Sequence, residues 1–124
     1  MYSPQVLDHF EHPRNAGVID VPDASVRLEN PACGDVLQLA VKLTPNRIEE
    51  IAFRAKGCVA SMACASALTE LVRGKSIAEA RRMSREELLA AVGGLPPASM
   101  HATHLAMDAL KAALDQLAAK SSTV

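Results

Sequence analysis

The spacing of hydrophobic and polar positions divides the chain into one short helix, three strands and a helical second half. Ser3 and Pro4 supply an N-cap and a first helical position, and Pro13 stops the run, which predicts a helix from Pro4 to about His12. Residues 14–24 read as loop. Val26 and Leu28 alternate with polar neighbours, Leu37, Leu39, Val41 and Leu43 do so more clearly, and Ile51, Phe53 and Ala55 repeat the pattern after Thr44-Pro45-Asn46-Arg47. That pattern predicts a meander of three antiparallel strands with a Pro-Asn turn in its last connection. Gly57 then breaks the strand, and small and apolar residues at helical spacing run from Cys58 to Arg73, where Gly74 closes them off. Cys58 is therefore expected to open a helix. Ser76 with Glu79, and Ser84 with Glu87, each fit a capping box and predict two short helices ahead of Gly93-Gly94. Beyond the stiff connector Leu95-Pro96-Pro97, a stripe of Met107, Leu110, Ala113, Leu114 and Leu117 marks a last helix from Ser99 to about Ala119, with His101 in its first turn. Residues 119–124 are expected to form a flexible tail. There is no internal repeat and no linker long enough to divide the chain, so residues 1–124 are read as a single domain.

Composition narrows the classes of function. A chain of 124 residues can bury about two-thirds of its unfolded surface and fold without disulfide staples. Its 13 basic and 14 acidic residues leave a net charge of -1, with no Lys/Arg run that would track a phosphate backbone. The one Tyr, two Phe and no Trp leave no stacking platform for bases, so nucleic acid is not an expected partner. Three cysteines, an odd number, do not make a disulfide framework and point to a reducing compartment. No export signal and no apolar run of about 18 residues is visible, so membrane spanning is not expected and the cytoplasm is the default location.

The candidate chemistry sits at turns and helix starts. Cys33 and Asp35 flank Gly34 in a turn, while Cys58 and His101 would be delivered by other segments. Two thiolates, a carboxylate and an imidazole can fill a four-coordinate shell for zinc or supply ligands to an iron-sulfur cluster. At a helix start, Cys58 would face free N–H groups and the positive end of the dipole, which favour thiolate, and the same field at His101 would favour a neutral ring nitrogen. Asp35 would add a hard, weakly held oxygen that eases release of whatever is bound. Each residue also has a plain structural reading. Cys33 or Cys58 could be a small buried hydrophobe, Asp35 could close an Asx turn, and His101 could cap or line its helix. Cys64 lies six residues beyond Cys58, about 240° around the helix axis, and reads as core. His104 reads as a partly exposed surface histidine, and His9 and His12 as surface residues or part of a partner-binding face. Arg81, Arg82 and Arg85 read as a solvated face or an electrostatic contact for a protein partner.

Several words of the sequence carry a resemblance. Tyr2, His9-Phe10, Pro13-Arg14-Asn15 with Gly17, Asn30-Pro31-Ala32-Cys33-Gly34-Asp35, Gly57-Cys58 with Ser61-Met62-Ala63 and Ala65-Ser66, Gly74-Lys75, and Leu95-Pro96-Pro97 with His101 resemble the iron-sulfur cluster assembly scaffolds of the IscU, SufU and NifU N-terminal type. The resemblance covers residues 2 to about 118. It implies an α+β fold of the SufE/NifU-like, IscU-type class, a three-stranded antiparallel sheet covered by four to five helices, with the site at one exposed end. It also implies that Cys33, Asp35, Cys58 and His101 form the metal or cluster site, that Cys33 and Cys58 are the candidate persulfide carriers, and that the protein is not itself an enzyme. The implied cargo is iron or a [2Fe-2S] cluster, with zinc as the alternative occupant. A cysteine desulfurase and apo iron-sulfur acceptor proteins are the implied partners, and a homodimer around a shared cluster is compatible with the ligand set.

Two departures from the family pattern stand out. The IscU branch carries a third cysteine directly after the histidine, serving as ligand and persulfide acceptor, whereas this chain reads His101-Ala102. The IscU recognition peptide for an Hsp70-type chaperone ends in Val-Lys, where this chain has Ala98-Ser99, which argues against that partner. Two functions are therefore expected to compete: a scaffold or carrier that binds iron or a [2Fe-2S] cluster and passes it on, and a zinc-bound sulfur-relay or regulatory partner of a cysteine desulfurase that builds no cluster itself.

Overall fold

A computed structural model describes residues 2–30 and 34–122. Helix α1 (Pro4–Glu11) starts at Ser3, whose hydroxyl accepts the Val6 amide, and is followed by β1 (Ala24–Asn30), β2 (Asp35–Leu43) and β3 (Ile48–Lys56). The second half holds α2 (Val59–Val72), α3 (Ile77–Arg81), α4 (Arg85–Ala91), a 3-10 turn at Pro97–Ser99 and α5 (His101–Ser122). The strands form one antiparallel sheet in the order β1-β2-β3, with Asn30 opposite Asp35 and Val36 opposite Lys56 at one end. The predicted meander and its Thr44–Arg47 connection are both present, closed by a bond from the Thr44 amide to the Arg47 carbonyl of 2.9 Å. The architecture is the α+β arrangement expected from the resemblance, among the described residues a three-stranded sheet with five α-helices.

One face of the sheet carries Leu37, Leu39, Val41, Ile51 and Phe53 into the core. Helix α5 packs on β1 and β2, α2 packs on β3 and α5, and α1 packs on α2. Helix α2 is buried nearly all round, as its run of small and apolar residues requires. Its alanines present little bulk to α1 and β3, and Leu68 and Val72 are fully buried members of the core. The Pro13–Gly17 segment is tied into the same layer. Phe53 donates its amide to the Asn15 carbonyl at 3.0 Å and accepts from Gly17 at 2.9 Å, and the Thr69 hydroxyl donates to the Arg14 carbonyl at 3.1 Å.

Four readings need correction. His9, expected at the surface, is buried: its Nδ1 lies 2.8 Å from the Ser66 hydroxyl, which makes its burial against α2 tolerable. His12 and His104 are exposed as expected. The last helix, expected to end at about Ala119, runs to Ser122, because Ala118, Ala119 and Lys120 favour helix and no Gly or Pro stops it. A full reciprocal capping box forms at Ser76 and Glu79; at Ser84 the hydroxyl accepts the Glu87 amide, and among the described residues that helix start lacks the return bond. Finally, Pro97–Ser99 form a separate 3-10 turn, so α5 begins at His101 itself.

Candidate metal centre

Three elements meet at the sheet end where β2 begins and β3 finishes. Asp35 is the first residue of β2, Cys58 is the N-cap of α2 just after β3, and His101 is the first residue of α5. The chain reaches this point because Gly57 (φ +150°) turns the end of β3 into α2 in a backbone conformation open to glycine. Gly57 is required for a second reason: a Cβ built on it would stand 2.1 Å from Asp35 Oδ1 and 2.6 Å from its Cγ. The Asp35 carboxylate therefore lies directly over the glycine backbone. Asp35 is 3% exposed, and both of its oxygens are engaged. Oδ1 accepts the Cys58 amide at 3.3 Å, so the carboxylate sits at the positive end of α2.

Oδ2 is the centre of the cluster. It lies 2.5 Å from the Ser61 hydroxyl, 3.2 Å from His101 Nε2 and 3.7 Å from Cys58 Sγ. Cys58 Sγ and His101 Nε2 are 3.9 Å apart. Asp35, Cys58 and His101 thus bring an oxygen, a sulfur and a nitrogen within 4.8 Å of one another, a group able to hold a metal ion. Asp35 forms the buried floor, while Cys58 and the His101 side chain, 32% exposed, open the group to solvent. Cys58 caps its helix through sulfur, Sγ accepting the Ser61 amide at 3.4 Å. Cys33, the fourth expected ligand, lies outside the described residues.

The remaining sequence candidates fall where the helical phase puts them. Cys64 is fully buried, and burial pushes its thiol up to about 12. Ala102, at the place of the family's third cysteine, is 1% exposed and faces the core. Arg81 pairs with Asp115 at 3.0 Å and Arg85 lies 3.5 Å from His104, so these arginines serve an exposed helix face. Sequence reasoning missed Ser61 as a member of the site. It is buried, touches both Asp35 and Cys58, and its only signal in the sequence is its position three residues after a helix-opening cysteine.

Known proteins are similar to this chain in sequence and in fold. Over 114 residues it is 45% identical to the iron-sulfur cluster assembly scaffold protein IscU 1 of Archaeoglobus fulgidus, a match covering 92% of this chain and 74% of that protein. It is 42% identical over 123 residues to the iron-sulfur cluster assembly scaffold protein IscU of Haemophilus influenzae, covering 96% and 97%. The crystal structure of the N-terminal part of a nitrogen-fixing NifU-like protein from Brucella abortus superposes with a TM-score of 0.78 at 18% identity, covering 95% of this chain and 94% of that one, a likeness of fold alone. With the family described as the NifU-like N terminal domain matching residues 1–124, the chain belongs to that family.

Proposed function

We propose that this chain is an iron-sulfur cluster assembly scaffold or carrier, with Asp35, Cys58 and His101 joined by Cys33 as the ligands of iron or a [2Fe-2S] cluster. The observation that carries the reading is the donor triangle. Tetrahedral coordination with bonds of about 2.0–2.1 Å to N or O and about 2.3 Å to S places ligand atoms roughly 3.3–3.6 Å apart. The three edges of 3.2, 3.7 and 3.9 Å lie close to that range, so small side-chain movements would complete the geometry. The donor set, one thiolate, one imidazole and one carboxylate, suits iron or zinc better than magnesium or calcium, which take oxygen shells. The names of the curated relatives support the same reading.

Each residue has a distinct task in this proposal. Cys58 supplies a thiolate held by the first turn of α2, Asp35 supplies an oxygen from the floor, and His101 closes the shell from the solvent side. Sulfur would arrive from a cysteine desulfurase as a persulfide on Cys33 or Cys58, and apo iron-sulfur proteins would receive the product. Among the described residues no helix is long and apolar enough to cross a membrane. The second reading, a zinc-bound relay or regulator of a desulfurase, is favoured by Ala102, whose methyl group can neither bind metal nor accept sulfur.

Anaerobic reconstitution with iron, sulfide and a cysteine desulfurase, followed by visible absorption and metal analysis, separates the two. A cluster chromophore in the natural chain that is lost in Cys58→Ser is expected. Serine is itself a favoured N-cap, so that variant keeps the helix start while removing the thiolate. Tightly held zinc with no chromophore would give the function to the relay.

A further inference from the structure

Ser61 occupies the third position of α2, is 5% exposed, and has its hydroxyl in contact with Asp35 and Cys58. Its Oγ stands 2.5 Å from Asp35 Oδ2 and 3.3 Å from Cys58 Sγ. A serine hydroxyl has one proton to give, and the shorter contact assigns it to the carboxylate. Together with the Cys58 amide on Oδ1, that bond clamps both oxygens of Asp35 to one turn of one helix. A carboxylate held at one oxygen can still rotate about its terminal torsion, whose profile is broad; held at both, it cannot. The restraint is not needed for the helix itself, because the N-cap bond runs from the Ser61 backbone amide to Cys58 Sγ and survives loss of the hydroxyl.

We propose that Ser61 is a positioning residue of the metal centre, its hydroxyl fixing Asp35 Oδ2 against Cys58 Sγ in the geometry that receives the ion. This rests on the reading of Asp35 and Cys58 as ligands. Outer partners of this kind orient ligands and typically contribute 10–100-fold in metal affinity.

The test is titration of the full chain with Co2+ against a competing chelator, read by the thiolate-to-cobalt and ligand-field absorption bands. The natural chain is expected to bind with both sets of bands. Ser61→Ala is expected to bind about 10–100-fold more weakly with shifted ligand-field bands, while the metal-free chain, having lost one bond to a buried carboxylate, unfolds a few degrees lower and remains folded at the titration temperature. In an Asp35→Ala background the further loss from Ser61→Ala is expected to shrink, since Ser61 acts largely through that carboxylate. Natural affinity and an unshifted spectrum in Ser61→Ala would overturn the role of Ser61 and leave the ligand assignment standing. Full additivity of the two substitutions would likewise remove Ser61 from the positioning of Asp35. Absence of cobalt binding by the natural chain would overturn the ligand assignment and Ser61 with it.

Discussion

Replacing Gly57 with alanine puts the geometry of the ligand group to a quantitative test. The new methyl would stand 2.1 Å from Asp35 Oδ1, 2.6 Å from its Cγ and 3.1 Å from its Cβ. Unstrained carbon contacts begin at about 3.5 Å, so the carboxylate would have to retreat by more than about 1 Å. Ligand constellations tolerate displacements of only about 0.5 Å, and metal binding is therefore expected to weaken at least 10–100-fold. The backbone contributes a separate cost, because φ at Gly57 is +150° and holding a side chain in such a conformation takes about 1–3 kcal/mol. Gly74 provides the control, with a φ of +86° but nothing within 4 Å of an added Cβ. Gly74→Ala should lower the thermal midpoint by a few degrees without touching metal affinity, whereas Gly57→Ala should lower both. The assay is calorimetry of both metal-free variants beside Co2+ titration of each. Undiminished binding in Gly57→Ala would refute the argument that the site depends on the close approach of Asp35 to a bare backbone.

Other expectations follow from groups away from the ligand triangle. Burial, and next the Arg14 charge, hold the His9 imidazole below its ordinary range, against the opposing pull of Glu70 and Asp8. Protonation therefore favours the unfolded chain: the contribution of neutral His9 is complete above the ordinary value of about 6.5 and is lost as pH falls through the lower folded-state value. Urea unfolding between pH 7.5 and 5 should show this decline, and His9→Gln should flatten it; the same slope in both proteins would discard the assignment. Cys64, buried and with its thiol pushed up to about 12, should resist alkylation of the folded protein at pH 8 while Cys58 reacts, as read by mass spectrometry of digests. Early labelling of Cys64 would contradict its place in the core. Asp35→Ala should slow release of a preformed cluster to an apo-acceptor, since a hard oxygen among softer donors is the ligand most readily exchanged, and an unchanged transfer rate would count against that role.

Much of this architecture is legible in residue order because its signals are local. Alternation over Leu37–Leu43 marks a strand with one buried face, and Ser76 with Glu79 announces a helix through a bond pattern contained in four residues. What was illegible depends on contacts between distant segments. His9 reads as polar on an amphipathic helix, and only Ser66, 57 residues on, supplies the partner that permits its burial. Ser61 vanishes among the small residues of α2 until Asp35, 26 residues away, is placed against it. The hydrogen bonds that hold both oxygens of Asp35 are likewise not legible, because no sequence pattern shows β2 beginning under the N-terminus of α2. Asp35, Cys58 and His101 are legible as candidates from their residue types and positions, but the floor-and-rim arrangement that brings them together is not.

The three described residues proposed as ligands belong to β2, α2 and α5, separated along the chain by 23 and 43 residues. An ion bound to all of them would act as a removable cross-link, closing two long loops and drawing on the same loop entropy that makes a disulfide stabilising. Occupancy would then be felt well beyond the rim, since every cross-linked element is also a wall of the core. At a free metal concentration 1,000 times the dissociation constant, the loaded chain gains about 4 kcal/mol over the empty one. A protein that pries any one of the three elements a little away from the others breaks the link and lowers the retention of the remaining two. Unloading would in that case be a matter of local loosening at a helix start rather than of competing for the ion itself, and a recipient could trigger delivery by the way it grips α2 or α5.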